Sequence, residues 1–229
     1  YQFHMPFFFF ASGIFIKEHY LSRPGSFIAK RIRRLWVPYF VWNMVFLCIH
    51  NTLFHIGAYP PEVGLINGIV DYIKKTIRIV FFAYQAFLIA QIWFICALFW
   101  GGVIFCLMAF IVKQLISGKK DEETKGQGKG NRWAEVAVLL AISVILFFVG
   151  INISLPPDFF ISQGLVAVLF LCFGYIYGRC YERIPYNLVF GLVSLVIVVI
   201  CSFINPATDM YSRNYGYPVI FLIAAMAGI

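Results

Sequence analysis

The fold is decided by residues 87–112, which read FLIAQIWFICALFWGGVIFCLMAFIV and contain no charged side chain. A helix of this length, rising 1.5 Å per residue, is about 39 Å long and exceeds the roughly 30 Å hydrocarbon core of a bilayer. Six further apolar runs accompany it, at residues 6–16, 35–56, 133–153, 163–180, 187–204 and from 217 onward. The sequence therefore predicts an all-α protein: a polytopic transmembrane helix bundle of about seven spans, forming one domain over residues 1–229.

The composition excludes the class of ordinary soluble globular domains. Of the 229 residues, 62% are hydrophobic and only 12% are charged, whereas soluble domains are about half apolar and a quarter charged. The formal net charge of +8 by itself suggests a nucleic-acid partner. In a membrane protein, however, the placement of Lys and Arg carries the information. We therefore expect contacts with membrane lipids and none with nucleic acid.

The distribution of cations predicts the orientation in the membrane. If residues 17–34 face the cytoplasm, fourteen of the eighteen Lys and Arg side chains lie on that side, as the positive-inside rule requires. We expect a multi-pass protein of the bacterial inner membrane in which the basic loop 17–34 is cytoplasmic. A charged, glycine-rich stretch at residues 117–132 is predicted to be a flexible cytoplasmic linker.

Residues 65–82 indicate a different kind of helix. Asp71, Lys74, Lys75 and Arg78 recur there at helical spacing among apolar residues. This pattern predicts an amphipathic helix that lies in the membrane interface.

A histidine stands at the entrance of the first apolar run, in residues 3–13, which read FHMPFFFFASG. If Pro6 is the first helical residue, His4 lies just before the helix N-terminus, where the positive end of the helix dipole disfavours the imidazolium form. A neutral imidazole near pH 7 can serve as a general base. The alternative is an interfacial histidine that only hydrogen-bonds a carbonyl group or water.

An arginine cluster follows in residues 30–39, which read KRIRRLWVPY. On a helix, Arg31 and Arg34 share one face while Arg33 points elsewhere. We therefore assign Arg31 and Arg34 to a phosphate-bearing ligand, which guanidinium groups bind in bidentate fashion, and Arg33 to lipid headgroups. The alternative is that all three only anchor the chain at the cytoplasmic face.

Three further side chains are candidates for lining a substrate cavity on the histidine side of the membrane, namely Trp93, Gln91 and His50. Trp93 can instead belong to the aromatic belt, and Gln91 can hydrogen-bond another helix. His50 and His55 are five positions apart, which is poor spacing for a shared metal ion on a helix. The six cysteines form no CxxC pair, so we expect free thiols and no metal site.

Residues 1–112 resemble a known family in three places that keep the family's order. Residues 3–13 look like the FHMPLFFFLSG signature of membrane-bound acyltransferase family 3, in its fucose 4-O-acetylase-like branch. Residues 31–39 resemble the family's arginine-rich segment that runs into a proline. Residues 92–99, IWFICALF, are similar to its LWFLxALF helix.

The resemblance implies transfer of an acetyl or other acyl group from cytoplasmic acyl-CoA to a hydroxyl of a surface or exported glycan, or of a lipid-linked sugar. It implies that His4 is a catalytic base and that Arg31, Arg34 and Arg33 belong to the acetyl-CoA site. Members of the family carry another catalytic histidine on a preceding helix. We therefore expect the sequence to be a fragment that lacks this first transmembrane helix.

The predicted base and the arginines lie at opposite faces of the membrane, on the order of 20 Å apart at 1.5 Å per residue. The pantetheine arm of the donor must therefore enter the helix bundle. Small residues such as Gly101 and Gly102 can make room for it.

A permease or glycan exporter without covalent chemistry is the alternative function. Such transporters often contain inverted repeats and helices broken at the membrane midplane. The sequence contains no visible repeat, and its Pro and Gly residues fall mostly near helix ends, which favours the enzyme.

Overall fold

The computed structural model describes residues 3–82, 85–117, 128–153, 160–180, 188–205 and 208–229. These residues fold into helices and turns without a β-strand, and their single β-type pairing is an isolated bridge between Asp209 and Asn214. The prediction of an all-α protein is therefore confirmed. The helices are α1 (His4–Ile14), α2 (Glu18–Leu21), α3 (Pro24–Arg31), α4 (Val37–Cys48), α5 (His50–His55), α6 (Gly68–Phe82), α7 (Trp93–Ser117), α8 (Gly128–Asn152), α9 (Ile161–Cys180), α10 (Leu188–Ile204) and α11 (Pro218–Gly228), with a π-helical turn at Ile32–Trp36 and 3₁₀ turns at Pro61–Val63 and Phe87–Ile92.

Three described helical segments have the length and composition to cross a membrane, namely Phe87–Ile116, Trp133–Asn152 and Ile161–Arg179. Three shorter apolar helices, α1, α10 and α11, accompany them. The predicted run 35–56 is divided into α4 and α5 at Ile49, whose backbone leaves helical geometry. These apolar helices are typical of an integral membrane protein. By length and composition, three of the roughly seven predicted spans are supported.

The prediction that residues 17–34 form a loop is wrong. This segment folds into α2, α3 and the start of the π-helical turn, which continues directly into α4. The Pro24-Gly25 pair favours a turn in the sequence, but Pro24 occupies the first turn of α3, where a missing N–H costs little. Phe27 from α3 is buried in the core, and this burial stabilises the helix.

Both ends of the predicted linker 117–132 are helical. Helix α7 continues to Ser117, and α8 already begins at Gly128 rather than at Trp133. Glycine has a low helix propensity, but propensity is a weak preference that the adjoining apolar helix overrides. Residues 118–127, the remainder of the predicted linker, lie outside the described residues.

Helix α9 is the centre of the bundle and packs against α1, α7 and α8. Its residues 166–172 are completely buried. Glycines permit the close approach of α1, because a Cβ on Gly13 would overlap the backbone of Leu171 and one on Gly174 would overlap the carbonyl of Phe10. Small residues allow such contacts between membrane helices. The short helix α1 is therefore held tightly on α9.

Candidate functional site

Two cavities lie at the opposite ends of α1. The basic cavity has a volume of about 500 Å³, and its lining residues are Ser12, Phe15, Ile16, Lys17, Tyr20, Phe27, Lys30, Arg31, Arg34, Leu35 and Leu98. The histidine cavity has a volume of about 370 Å³, and its lining residues are His4, Met5, Ala90, Gln91, Trp93, Asp209, Met210 and Tyr211. A ligand in one cavity and a ligand in the other would therefore contact the same short helix.

The basic cavity collects four cationic side chains, Lys17, Lys30, Arg31 and Arg34, and no carboxylate is among its described lining residues. Concentrated charges of one sign in a cleft attract ligands of the opposite sign. Aromatic and aliphatic side chains form the rest of the wall. The cavity therefore fits an organic ligand that carries several negative charges.

Arg31 is held in place at the wall of the basic cavity. Its Nη1 donates a hydrogen bond of 2.9 Å to the carbonyl oxygen of Leu98, and its guanidinium carbon lies 4.9 Å from the ring centre of Phe27. Gly102 makes room for this side chain, because a Cβ at that position would overlap the guanidinium group. Burial lowers the pKa of Arg31 to about 10, so the side chain remains charged at neutral pH.

The π-helical turn places Arg34 at the basic cavity and leaves Arg33 exposed outside its lining. This is the arrangement expected from the spacing of the three arginines, although the turn is π-helical and not α-helical. The binding of acyl-CoA by Arg31 and Arg34 and the contact of Arg33 with lipid remain predictions.

Lys30 and Tyr20 form a polar pair in the same wall. The Lys30 ammonium donates a hydrogen bond to the Tyr20 hydroxyl, which lowers the pKa of Tyr20. Sequence reasoning missed Lys17, Tyr20 and Lys30 as site residues, because their position in this wall depends on the packing of α2 and α3, which were not predicted as helices.

The structure brings His4, Gln91 and Trp93 together in the histidine cavity. His4 is itself the first residue of α1, so its imidazole remains at the positive end of the helix dipole although the helix begins two residues before Pro6. Trp93 is the first residue of α7 and is buried, and Gln91 precedes it in a 3₁₀ turn. The roles of the three side chains remain predictions.

Sequence reasoning missed the other wall of the histidine cavity, which is formed by Asp209, Met210 and Tyr211. The Asp209 carboxylate accepts hydrogen bonds from the backbone N–H of Tyr211 (3.0 Å) and from the Ser212 hydroxyl (2.8 Å). Gln163 of α9 donates to the carbonyl oxygen of Tyr211 at 3.2 Å. The signal in the sequence is the polar stretch TDMYSRNYG at residues 208–216 between two apolar helices.

Three aromatic rings form a cluster beside the histidine cavity. The ring centres of Trp93, Phe160 and Tyr211 lie 6.0 to 6.1 Å from one another. These separations fall within the range of favourable aromatic pairs. Trp93 and Tyr211 are therefore oriented by their contacts with each other and with Phe160, which gives the cavity an ordered aromatic wall.

His50 does not line the histidine cavity. Its Nε2 lies 3.0 Å from the carbonyl oxygen of Gly64, and its ring centre lies 4.7 Å from that of Tyr59. The side chain therefore holds the connection that follows α5 rather than a substrate. Within the described part of the chain, no group of three or more His, Cys, Asp or Glu residues is arranged to hold a metal ion, and Cys48, Cys96, Cys106, Cys172 and Cys201 are free thiols.

The two cavities share helix α1 as a common wall. His4 and Ser12 are eight residues apart on α1 and line different cavities, which corresponds to about 12 Å along the helix axis. Positions 4, 8 and 12 fall near one face of the helix, whereas Pro6, Phe9, Phe10 and Gly13 are its buried residues. One face of α1 therefore runs from the histidine to the basic cavity.

Comparison with protein-family models gives one match. The family model Acyl_transf_3, described as an acyltransferase domain, matches residues 1–229 and therefore the whole chain. No significant match was found among curated proteins or among solved structures.

Proposed function

Because the chain belongs to the Acyl_transf_3 family of acyltransferase domains, we propose that it is an integral-membrane O-acyltransferase of the fucose 4-O-acetylase-like branch. It moves an acetyl group from acetyl-CoA, or another acyl group from its CoA thioester, to a hydroxyl of a surface or exported glycan. The observation that carries this proposal is the pair of cavities on one face of α1, one with four cations and the other with His4.

The basic cavity supports acyl-CoA as the donor. Coenzyme A carries phosphate groups, and the planar guanidinium groups of Arg31 and Arg34 match phosphate oxygens in bidentate geometry. Lys17 and Lys30 add two further positive charges to the same wall. The pantetheine arm then extends along α1 from Ser12 towards His4, which lie about 12 Å apart along the helix axis.

His4 is the general base in this reaction. Its neutral imidazole nitrogen takes the proton from the acceptor hydroxyl while the hydroxyl oxygen attacks the carbonyl carbon of the thioester. The carbon–sulfur bond breaks, the acyl group remains as an ester on the acceptor, and the proton passes to the CoA thiolate that leaves. Trp93, Tyr211, Gln91 and Asp209 offer the aromatic faces and the hydrogen-bonding groups that a sugar requires.

The proposed orientation follows from the charges. Placing residues 17–34 and the basic cavity in the cytoplasm gives the donor access from its own compartment, and the excess of Lys and Arg on that side agrees with the positive-inside rule. The histidine cavity then lies near the outer face of a bacterial inner membrane. The shorter helices α1, α10 and α11 enter the bilayer beside the three long spans, which gives six spans among the described residues.

The proposal is tested by incubating membranes that contain the protein with labelled acetyl-CoA and following the label into glycan. Wild type should transfer label, and His4→Ala should abolish transfer while the variant still inserts into the membrane. His55→Ala is the matched control, because His55 lies outside both cavities and should leave transfer unchanged. Transfer by His4→Ala at the wild-type rate would contradict the assignment of the base. Absence of labelled glycan in every sample, together with transport of unmodified glycan, would favour the permease.

A further inference from the structure

Helix α6 (Gly68–Phe82) lies apart from both cavities and presents two adjacent stripes of side chains. The apolar stripe consists of Ile69, Ile73 and Ile77, which are all exposed, Ile69 by 76%. The cationic stripe contains Lys74 and Arg78, which are four residues apart and therefore share a neighbouring face. Exposed isoleucines in this number have no stabilising role in water. The helix is therefore suited to a surface on which an apolar layer lies beside an anionic layer.

The position of α6 is set at both of its ends. Asn51 exchanges two hydrogen bonds, of 3.0 and 2.9 Å, with the backbone of Ile66 just before the helix. Asn43 accepts a hydrogen bond of 2.9 Å from the backbone N–H of Ala86 after it. Ile79 packs on the inner side and is 1% exposed. The two outward stripes are thus held in a defined direction.

A cavity of about 410 Å³ lies along the cationic stripe. Its lining residues are Leu65, Ile66, Asp71, Lys74, Lys75, Ile77 and Arg78. Burial lowers the pKa of Lys75, and the charge of Arg78 adds to this lowering while Asp71 opposes it. The described lining therefore contains one carboxylate, that of Asp71, and three cationic side chains. An anion bound in this cavity would balance the excess positive charge.

We propose that this cavity binds the phosphate of an anionic membrane lipid, with Lys74, Lys75 and Arg78 around the phosphate and the acyl chains along Ile69, Ile73 and Ile77. The apolar stripe favours a lipid over free phosphate, because free phosphate would leave the three isoleucines uncovered. Cations beside a bilayer attract anionic headgroups, each by about fivefold in affinity. This site does not depend on acyl transfer and would exist equally in a transporter.

The experiment is native mass spectrometry of the detergent-purified full chain after incubation with equal amounts of phosphatidylglycerol and phosphatidylcholine. Wild type should retain phosphatidylglycerol preferentially. The variant Lys74→Gln/Arg78→Gln should lower this preference by about fivefold or more. The matched control Arg23→Gln/Lys113→Gln removes two cations outside the cavity and should retain the wild-type preference. Asp71→Asn should raise the preference, because it removes the one carboxylate among the described lining residues.

The opposite signs of the two changes at the cavity distinguish binding from a folding defect, since misfolding would lower retention in both variants. Equal retention of the two lipids by wild type would overturn the proposal. A preference that Lys74→Gln/Arg78→Gln and its control share would overturn it as well. Displacement of phosphatidylglycerol by inorganic phosphate would show that the site takes a free anion, which would overturn its assignment to lipid.

Discussion

The rings of Phe8 and Phe94 stack with their centres 6.0 Å apart and their planes inclined by 25°. Phe8 lies between His4 and Ser12 on α1, and Phe94 lies between Trp93 and Leu98 at the start of α7. The pair therefore stands between the histidine cavity and the basic cavity. In the proposed reaction, the acyl arm of the donor must pass this pair to reach His4.

Phe8→Ala should change the selectivity for the acyl chain. Removing one ring widens the passage between the cavities, so butyryl transfer should increase relative to acetyl transfer. The ring is 52% exposed, and its truncation should therefore cost little stability. The measurement is the ratio of the transfer rates with butyryl-CoA and acetyl-CoA. Phe7→Ala removes a neighbouring exposed ring on another face and serves as the control. The same ratio in both variants would exclude Phe8 as a barrier.

Gly102→Ala should weaken the binding of acyl-CoA. The new Cβ overlaps the guanidinium group of Arg31, so this group must shift, and we expect its hydrogen bond with the carbonyl oxygen of Leu98 to break. A hydrogen bond from a charged group contributes about 1.5–3 kcal/mol, and we expect the KM for acetyl-CoA to rise about tenfold or more. Gly191→Ala adds a Cβ into open space and should leave KM unchanged. An unaltered KM in Gly102→Ala would show that Arg31 does not hold the donor.

Arg34→Lys should raise the acyl-CoA concentration that the enzyme requires. Lysine keeps the positive charge but loses the planar, bidentate geometry towards phosphate. We expect KM for acetyl-CoA to rise about tenfold, with little change in kcat. The conservative control is Arg33→Lys, because Arg33 is exposed outside the basic cavity. Equal KM values in the two variants would place the donor elsewhere.

Asp209→Asn should lower kcat and leave KM for acetyl-CoA unchanged. The carboxylate lines the cavity of His4, where it can accept a hydrogen bond from an acceptor hydroxyl or from the imidazolium formed during the reaction. Ser212→Ala removes the 2.8 Å hydrogen bond to this carboxylate without altering the lining of the cavity. Full activity in Ser212→Ala with at least tenfold loss in Asp209→Asn would support a role in catalysis. Equal losses in both would reduce Asp209 to a structural residue of the turn.

Which residues share a helix face or a side of the membrane could be predicted in part from the sequence. The spacing of Arg31, Arg33 and Arg34 was sufficient to separate the two arginines that line the basic cavity from Arg33, which lies outside its lining. The predicted membrane side agrees with the common cavity of His4, Gln91 and Trp93, although the same argument also placed His50 there. In each case a helical period or the alternation of spans determines the geometry, and neither needs knowledge of tertiary packing.

Contacts that depend on tertiary packing could not be predicted. Asp209 lines the cavity of His4 only because a polar turn after α10 packs against the start of α7. His50 was predicted to line the cavity, but its imidazole contacts the carbonyl oxygen of Gly64, fourteen positions later in the chain. The helicity of residues 24–31 depends on the burial of Phe27, which outweighs the turn signal of Pro24-Gly25.

The π-helical turn at Ile32–Trp36 makes this segment tolerant of the loss of one residue. A π-turn contains about one residue more than an α-turn, so deleting a single residue there restores a continuous α-helix and leaves the faces of α3 and α4 in the same relative orientation. Inserting a residue has the opposite effect, because it would rotate α3 relative to α4 by about 100°. Arg31 would then turn away from the space that Gly102 leaves open. A deletion and an insertion at this turn therefore differ in whether the cation stays in its cavity.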